Sequence, residues 1–262
     1  MLTTLRRAAA RIPLLGPALK KSYLGLFARD GAVRSIETGP LAGLKYHHYR
    51  WSTPDHDLVV NNWADEAAAA FTRLVPGKKR IFDIGANWGF YVLLAHKHRD
   101  ADCQIIAFEP HPRSASELQT QITLNQIANA TVVQSALSDQ DGAIEFVDTG
   151  SAIGQKMAAV DNYFTTARRI RVPAMSLNTA VDRFGAPDLI KLDVEGAENL
   201  VLTGGRDILT RYRPTLIVEV HGPERSNDFY GIVESCHYRC ETAAGTPITD
   251  RAYHHQVVCH PA

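Results

Sequence analysis

The sequence predicts a doubly wound α/β fold, and three observations carry that prediction. Short apolar runs alternate with segments of helical spacing over residues 80–134 and again over 187–220. Those runs are apolar almost throughout, as parallel strands covered on both faces require. A glycine turn, Asp83-Ile84-Gly85-Ala86-Asn87-Trp88-Gly89, joins the first run to the first helix. In open α/β sheets that join lies where ligands bind.

The elements follow in order. Residues 1–62 read as a basic helical extension followed, over 35–62, by a small lid or hairpin. Arg6, Arg7, Arg11, Lys20, Lys21, Arg29 and Arg34 stand there against Asp30, while Pro13, Gly16 and Pro17 break any long helix. The segment either packs on the domain or makes peripheral contact with an anionic membrane. It has no uninterrupted apolar stretch of the kind a secretory signal needs. Residues 63–262 read as one domain. Helical spacing from Trp63 to Val75 is stopped by Pro76-Gly77. Strand 80–84, helix 89–98, strand 104–109, helix 114–126 and strand 130–134 come next. Residues 139–175 interrupt the alternation as an insertion near the carboxyl ends of the core strands, with strand-like Ala143–Val147 and Arg169–Ala174 around a Gly150–Gly154 loop. Alternation resumes with strand 187–192, a helix over 197–211 that Gly204-Gly205 can break, and strand 215–220. A helix near 226–235 and short strands at 238–242 and 256–259 close the chain, one of them read as antiparallel.

Composition excludes several classes of function. With 28 basic and 28 acidic residues the net charge is zero, so nothing calls for a polyanionic partner such as nucleic acid. No run approaches the roughly 18 apolar residues of a membrane span. The four cysteines are too sparse for a disulfide framework and point to a reducing, cytoplasmic compartment, or to the inner face of a membrane if the basic segment attaches there. Cys236, His237, Cys240, His254, His255, Cys259 and His260 crowd the C-terminus. Without a second close cysteine pair, they read as strand residues before they read as a zinc site.

The turn itself chooses between cofactors. A dinucleotide fingerprint is G-x-G-x-x-G, and here its middle position is Asn87. A carboxylate at Asp83 would repel a diphosphate and attract the ammonium end of S-adenosylmethionine (SAM). Glu109, ending the second strand, stands where such folds bind ribose hydroxyls. Asp83, Gly85, Ala86, Asn87, Gly89 and Glu109 thus read as a nucleotide-cofactor site, with a nicotinamide-dependent oxidoreductase as the alternative.

Five segments resemble the FkbM family of methyltransferases: the turn at 83–91, Ala107-Phe108-Glu109-Pro110-His111-Pro112, Ala136-Leu137-Ser138-Asp139, residues 188–198 around Lys191-Leu192-Asp193-Val194-Glu195-Gly196, and 213–221 ending in Glu219-Val220-His221. The resemblance implies a mostly parallel, seven-stranded Rossmann-like sheet. It implies SAM-dependent transfer of a methyl group to a hydroxyl of a sugar, a glycan or a small natural product. It also places Ser135 and Ala136 along the adenine. A nucleic-acid methyltransferase is a further alternative, although Asp193-Val194-Glu195-Gly196 is not the Asn/Asp-Pro-Pro-aromatic element of base-directed enzymes.

A sugar hydroxyl is a weak nucleophile, so a base or a cation should stand beside it. Asp193, Glu195, Glu219 and His221 would converge if the strands at 187–192 and 215–220 are neighbours. His221 is the preferred base, because imidazole titrates near neutrality. Lys191, on a strand buried from both sides, either pairs with Asp193 or Glu219 or orients the substrate. Asp193 and Glu195 are the candidate ligands of a divalent metal.

Overall fold

The computed structural model describes residues 31–48, 66–148, 156–157 and 168–262. Most of the basic segment, the surroundings of Trp51 and Pro54, the helix start at Trp63 and the Gly150–Gly154 loop lie outside the described residues. β1 (Ala32–Ser35) and β2 (Lys45–His48) pair as an antiparallel hairpin, and α1 (Glu66–Leu74) follows. The hairpin begins three residues before the predicted lid and shares the core of the main sheet, burying Ile36, Leu41 and Tyr46 there.

The first half of the sheet is β3 (Arg80–Ile84), α2 (Phe90–His98), β4 (Gln104–Phe108), α3 (Pro112–Leu124) and β5 (Ala130–Val133). Pro112 at the first turn and the His111 ring, which accepts from the Arg113 amide, start α3 before the predicted boundary. Two amides on α3 hold the hairpin. Gln121 bonds both backbone groups of His47, and Asn125 both of Lys45.

The insertion becomes a separate sheet: β6 (Ala136–Ser138), β7 (Gly142–Asp148), β8 (Lys156–Met157) and β9 (Arg168–Ser176), ordered β6-β9-β7-β8. It is followed by α4 (Leu177–Phe184), a helix the sequence reading missed. Its signals were legible. Ser176 accepts from the Thr179 amide as an N-cap, and Leu177, Ala180, Val181 and Phe184 have helical spacing.

The second half is β10 (Leu189–Leu192), α5 (Glu198–Gly204), α6 (Arg206–Tyr212), β11 (Thr215–Glu219), α7 (Ser226–Ser235), β12 (Tyr238–Thr242) and β13 (Gln256–Pro261). The predicted helix break at Gly204-Gly205 is present. The main sheet has seven strands ordered β12-β13-β11-β10-β3-β4-β5, all parallel except β13. Strand alternation sends Ile81, Leu189 and Ile217 toward α1 and α2, and Phe82, Ile190 and Leu216 toward α4 to α7. Helices therefore cover both faces, the doubly wound arrangement that near-continuous apolar strands demand.

Candidate active site

β3 and β10 are adjacent, with Asp83 opposite Lys191, yet the chain leaves β3 toward β4 and β10 toward β11. Their carboxyl ends part at this switch point, and open α/β sheets bind ligands there. Gly85 closes the gap between the two strands. Its φ is +83°, and a Cβ would stand 1.7 Å from the Asp193 carbonyl oxygen. Gly89, at φ +104°, faces Leu118 of α3, whose Cδ1 a Cβ would meet at 2.5 Å. Both positions thus exclude a side chain because of backbone and helix packing, and Gly85 also lines the cleft. Asn87 holds a left-handed φ of 50° without being glycine, a conformation asparagine tolerates better than most residues.

The cleft over this turn is lined by Gly85 and Asn87 from the turn and by Ser135 and Ala136 beyond β5. Phe146 and Met157 of the inserted sheet, which sequence reasoning did not single out, give it an apolar wall, and Glu109, Asp193 and Glu195 bring three carboxylates. No lysine or arginine lines it among the described residues. Counted out to its open mouth, with the solvent in front of it, the cleft spans about 650 Å³.

Glu109 is 5% exposed and anchored by two amides. Oε2 accepts from Asn87 at 2.8 Å and Oε1 from His111 at 2.9 Å. Burial pushes its carboxyl up to about 7 against those two hydrogen bonds. Each oxygen retains a second lone pair for a ligand hydroxyl. Asp83 does not line the cleft. It lies one layer deeper, 2% exposed, on the α2 face beside Lys191. Burial pushes it up to about 7 although Lys191 pulls the other way, and its Oδ2 is buried with no hydrogen-bond partner. Such an orphaned acceptor costs about 1–3 kcal/mol unless a donor reaches it.

Lys191 is fully buried. Its Nζ lies 3.0 Å from Glu219 and 3.5 Å from Asp193, over the ring of Tyr91. Burial opposes its charge, but Asp193, Tyr91 and Glu219 hold its pKa above the ordinary value. Of the two readings of Lys191, the pairing with Asp193 and Glu219 is present, and the enclosed ammonium holds those two acids in place.

His221, one quarter exposed, brings the remaining acids together. Nδ1 meets Glu198 Oε1 at 3.0 Å, and Nε2 lies 3.6 Å from Glu195 and 3.9 Å from Asp193. Glu198, hidden in the sequence as a first-turn helix acid, also accepts from the amides of Val194 and Gly196. Burial would lower the histidine's pKa, but the Glu198 hydrogen bond and the charges of Glu198, Asp193 and Glu195 raise it to about 9. The surrounding acids thus favour the protonated ring, which makes His221 a weaker candidate for the base than its place after β11 suggests. The metal expectation also shifts. Asp193, Glu219 and His221 offer ligand atoms within 4.8 Å of one another, and Glu195 is outside that trio.

At the far edge of the sheet, Cys240 and Cys259 face each other across β12 and β13 with 3.1 Å between sulfurs, and His260 pairs with Glu241. Among the described residues no helix is long and apolar enough to cross a membrane.

Residues 83–240, more than half of the chain, match the family model of the methyltransferase FkbM domain. The chain belongs to the FkbM methyltransferase family. The structure of the methyltransferase FkbM from Methylobacillus flagellatus KT is similar with a TM-score of 0.50 at 16% identity, over 72% of this chain. This FkbM chain spans 47% of that protein's length. At such identity the likeness shows the fold alone. A precorrin-6y C5,15-methyltransferase from Geobacter metallireducens GS-15 gives a TM-score of 0.46 at 13% identity, over 74% of this chain and 84% of its own. A Pyrococcus abyssi tRNA (uracil-54, C5)-methyltransferase, solved with S-adenosyl-L-homocysteine (SAH), gives 0.46 at 13% identity, over 88% of this chain and 44% of its own. No curated protein matches the chain.

Proposed function

We propose that this FkbM methyltransferase uses SAM to methylate a hydroxyl of a sugar, a glycan or a small natural product. One observation carries the reading. The cleft at the switch point presents three carboxylates and no basic side chain among the described residues. A diphosphate or a nucleic-acid backbone would be repelled there, whereas a cationic nucleoside would be attracted. The opposite sign of ligand, which the oxidoreductase alternative needs, finds no counter-charge.

The residues present fit the cofactor. Glu109 offers acceptors for ribose hydroxyls, and Ser135, Ala136, Phe146 and Met157 offer a largely apolar slot for a purine. The carboxylate of Asp193, which lines the cleft, suits an ammonium group, and Asp83 one layer beneath adds to the negative field there. SAM, once bound, supplies an electrophilic methyl group on a sulfonium that the acceptor oxygen displaces.

The chain's own task is alignment and proton removal. Phe146 and Met157 exclude water from one side of the cleft. Glu195 lines the cleft and is the group we assign to take the proton of the acceptor hydroxyl. His221 Nε2 lies 3.6 Å from it and fixes its place. The neutral chain and the mixed polar and apolar cleft suit an uncharged, hydroxylated acceptor.

Isothermal titration with SAH and with NAD tests the cofactor. Saturable SAH binding that Glu109→Ala removes is expected, and NAD binding with none for SAH would overturn the reading. Incubation with methyl-labelled SAM and panels of glycans and metabolites, followed by mass analysis, then tests the acceptor.

A further inference from the structure

We propose that Asp193, Glu219 and His221 form a seat for one divalent transition-metal ion at the carboxyl edge of β10 and β11. Its catalytic use rests on the methyl-transfer reading above, but the binding itself does not.

The distances suit a shared centre. The three donor atoms lie within 4.8 Å of one another, and ligands about 2.1 Å from one ion stand about 3–4 Å apart. Between His221 Nε2 and Asp193 Oδ1 the gap is 3.9 Å, and between His255 Nε2 and Glu219 Oε2 it is 3.5 Å. Both exceed a sound hydrogen bond. These groups therefore face one another without being satisfied by one another.

Lys191 orients the acids and leaves half of each free. Its ammonium takes Asp193 Oδ2 and Glu219 Oε1 from below, so that Asp193 Oδ1 and Glu219 Oε2 turn to the histidines. Glu198 fixes the ring of His221. The carboxylate holds Nδ1 at 3.0 Å and is itself held by two amides, which presents Nε2 outward. Metal-bound histidines are supported in this way, by a carboxylate on the far nitrogen.

Charge allows the same ion. Asp83, buried with an unpartnered Oδ2 and one strand across from Lys191, joins Asp193, Glu195, Glu198 and Glu219. These carboxylates, with Asp83 drawn toward its neutral form by burial, stand near Lys191 and near Arg225, which bonds the His221 carbonyl oxygen, and an ion bound at Nε2 would take the place of a proton on His221. An imidazole nitrogen with two carboxylates favours ions from Mn²⁺ to Zn²⁺ over Mg²⁺ or Ca²⁺. At this edge, next to Glu195, such an ion would polarise a hydroxyl oxygen entering the cleft.

Titration of chelator-stripped full-length protein with Mn²⁺, read by the loss of the free-ion paramagnetic signal and done without SAM or acceptor, tests the seat. One ion per chain is expected. His221→Ala should weaken binding by at least about tenfold and Glu198→Gln by a comparable factor. Asp193→Asn and Glu219→Gln strip Lys191 of partners and risk misfolding, so the two former variants, checked for fold by circular dichroism, carry the result. Absence of saturable Mn²⁺ binding overturns the seat, and so does binding that His221→Ala leaves unchanged. SAH binding measured separately keeps the two ideas apart. A protein that binds SAH and no Mn²⁺ loses the seat and keeps the methyl-transfer reading.

Discussion

Glu109 shows how a single side chain links ligand binding to stability. Its carboxyl is raised from 4.5 to about 7 in the fold, chiefly by burial. The folded state thus prefers the protonated acid. The stability this confers is complete below the unfolded value and is lost as pH rises through about 7. Glu109→Gln cannot ionise, so its urea-unfolding free energy should fall less between about pH 5 and about pH 8 than the wild type's, by about 1–3 kcal/mol. Asp83, shifted in the same direction, keeps a residual slope in the variant. Equal slopes would show that Glu109 is already ionised in the fold. Lys191→Met makes the complementary case. Removing the buried ammonium leaves Asp193 and Glu219 facing each other, and chemical denaturation should register a loss of about 3–5 kcal/mol. At this scale the sequence marked Asp83, Glu109, Lys191 and His221 as unusual, because each is a charged or titratable group ending or interrupting an apolar run. Their partners were not legible. Glu198 looks like an ordinary helix-start acid until it is found under His221, and that contact crosses 23 residues of chain.

At the scale of elements, the turn after β3 and the hairpin each make a separate claim. Gly85→Ala drives a Cβ into the backbone carbonyl of Asp193, which cannot step aside without parting β3 from β10. A loss of about 4 kcal/mol or more is expected from thermal or urea unfolding, among the largest for a point substitution. Gly89→Ala meets the tip of Leu118 instead. A side chain can yield, and the expected cost is about 1–3 kcal/mol. Equal costs would refute the strand-contact account. Gln121→Ala should speed hydrogen exchange at the His47 amide while the amides of β3 keep their protection, because Gln121 ties the hairpin to α3 and does nothing for the sheet. Core strands and helices were readable here from periodicity and caps. The hairpin was placed late and α4 was overlooked, because four-residue strands carry too few positions for a periodic signal and the eight-residue α4 follows directly on β9.

For the whole molecule, ligand binding and folding share one equilibrium. If the cleft takes SAH in the folded state alone, SAH at about a hundred times its dissociation constant should add about 2.7 kcal/mol to the unfolding free energy, whereas NAD should add nothing. Differential scanning of the melting temperature checks both, and stabilisation by NAD would reverse the sign argument for the cleft. The same measurement on Glu109→Ala should show no SAH-dependent rise.

The doubly wound architecture was determined by the chain's local pattern. Apolar runs of strand length, helical spacing between them and a glycine-bearing turn after Asp83 are short-range features, and parallel strands buried on both faces follow from them. FkbM membership was equally legible, since its five segments lie in order along the chain. Tertiary structure alone decided how the site residues are placed. Whether Asp83 faces the cleft or lies beneath it, which acids face His221, and which acids share Lys191 all depend on the order β11-β10-β3. That order brings residues 83, 191 and 219 onto one face. The energy of a buried charge is set by neighbours within a few ångströms, and here those neighbours come from strands far apart in sequence.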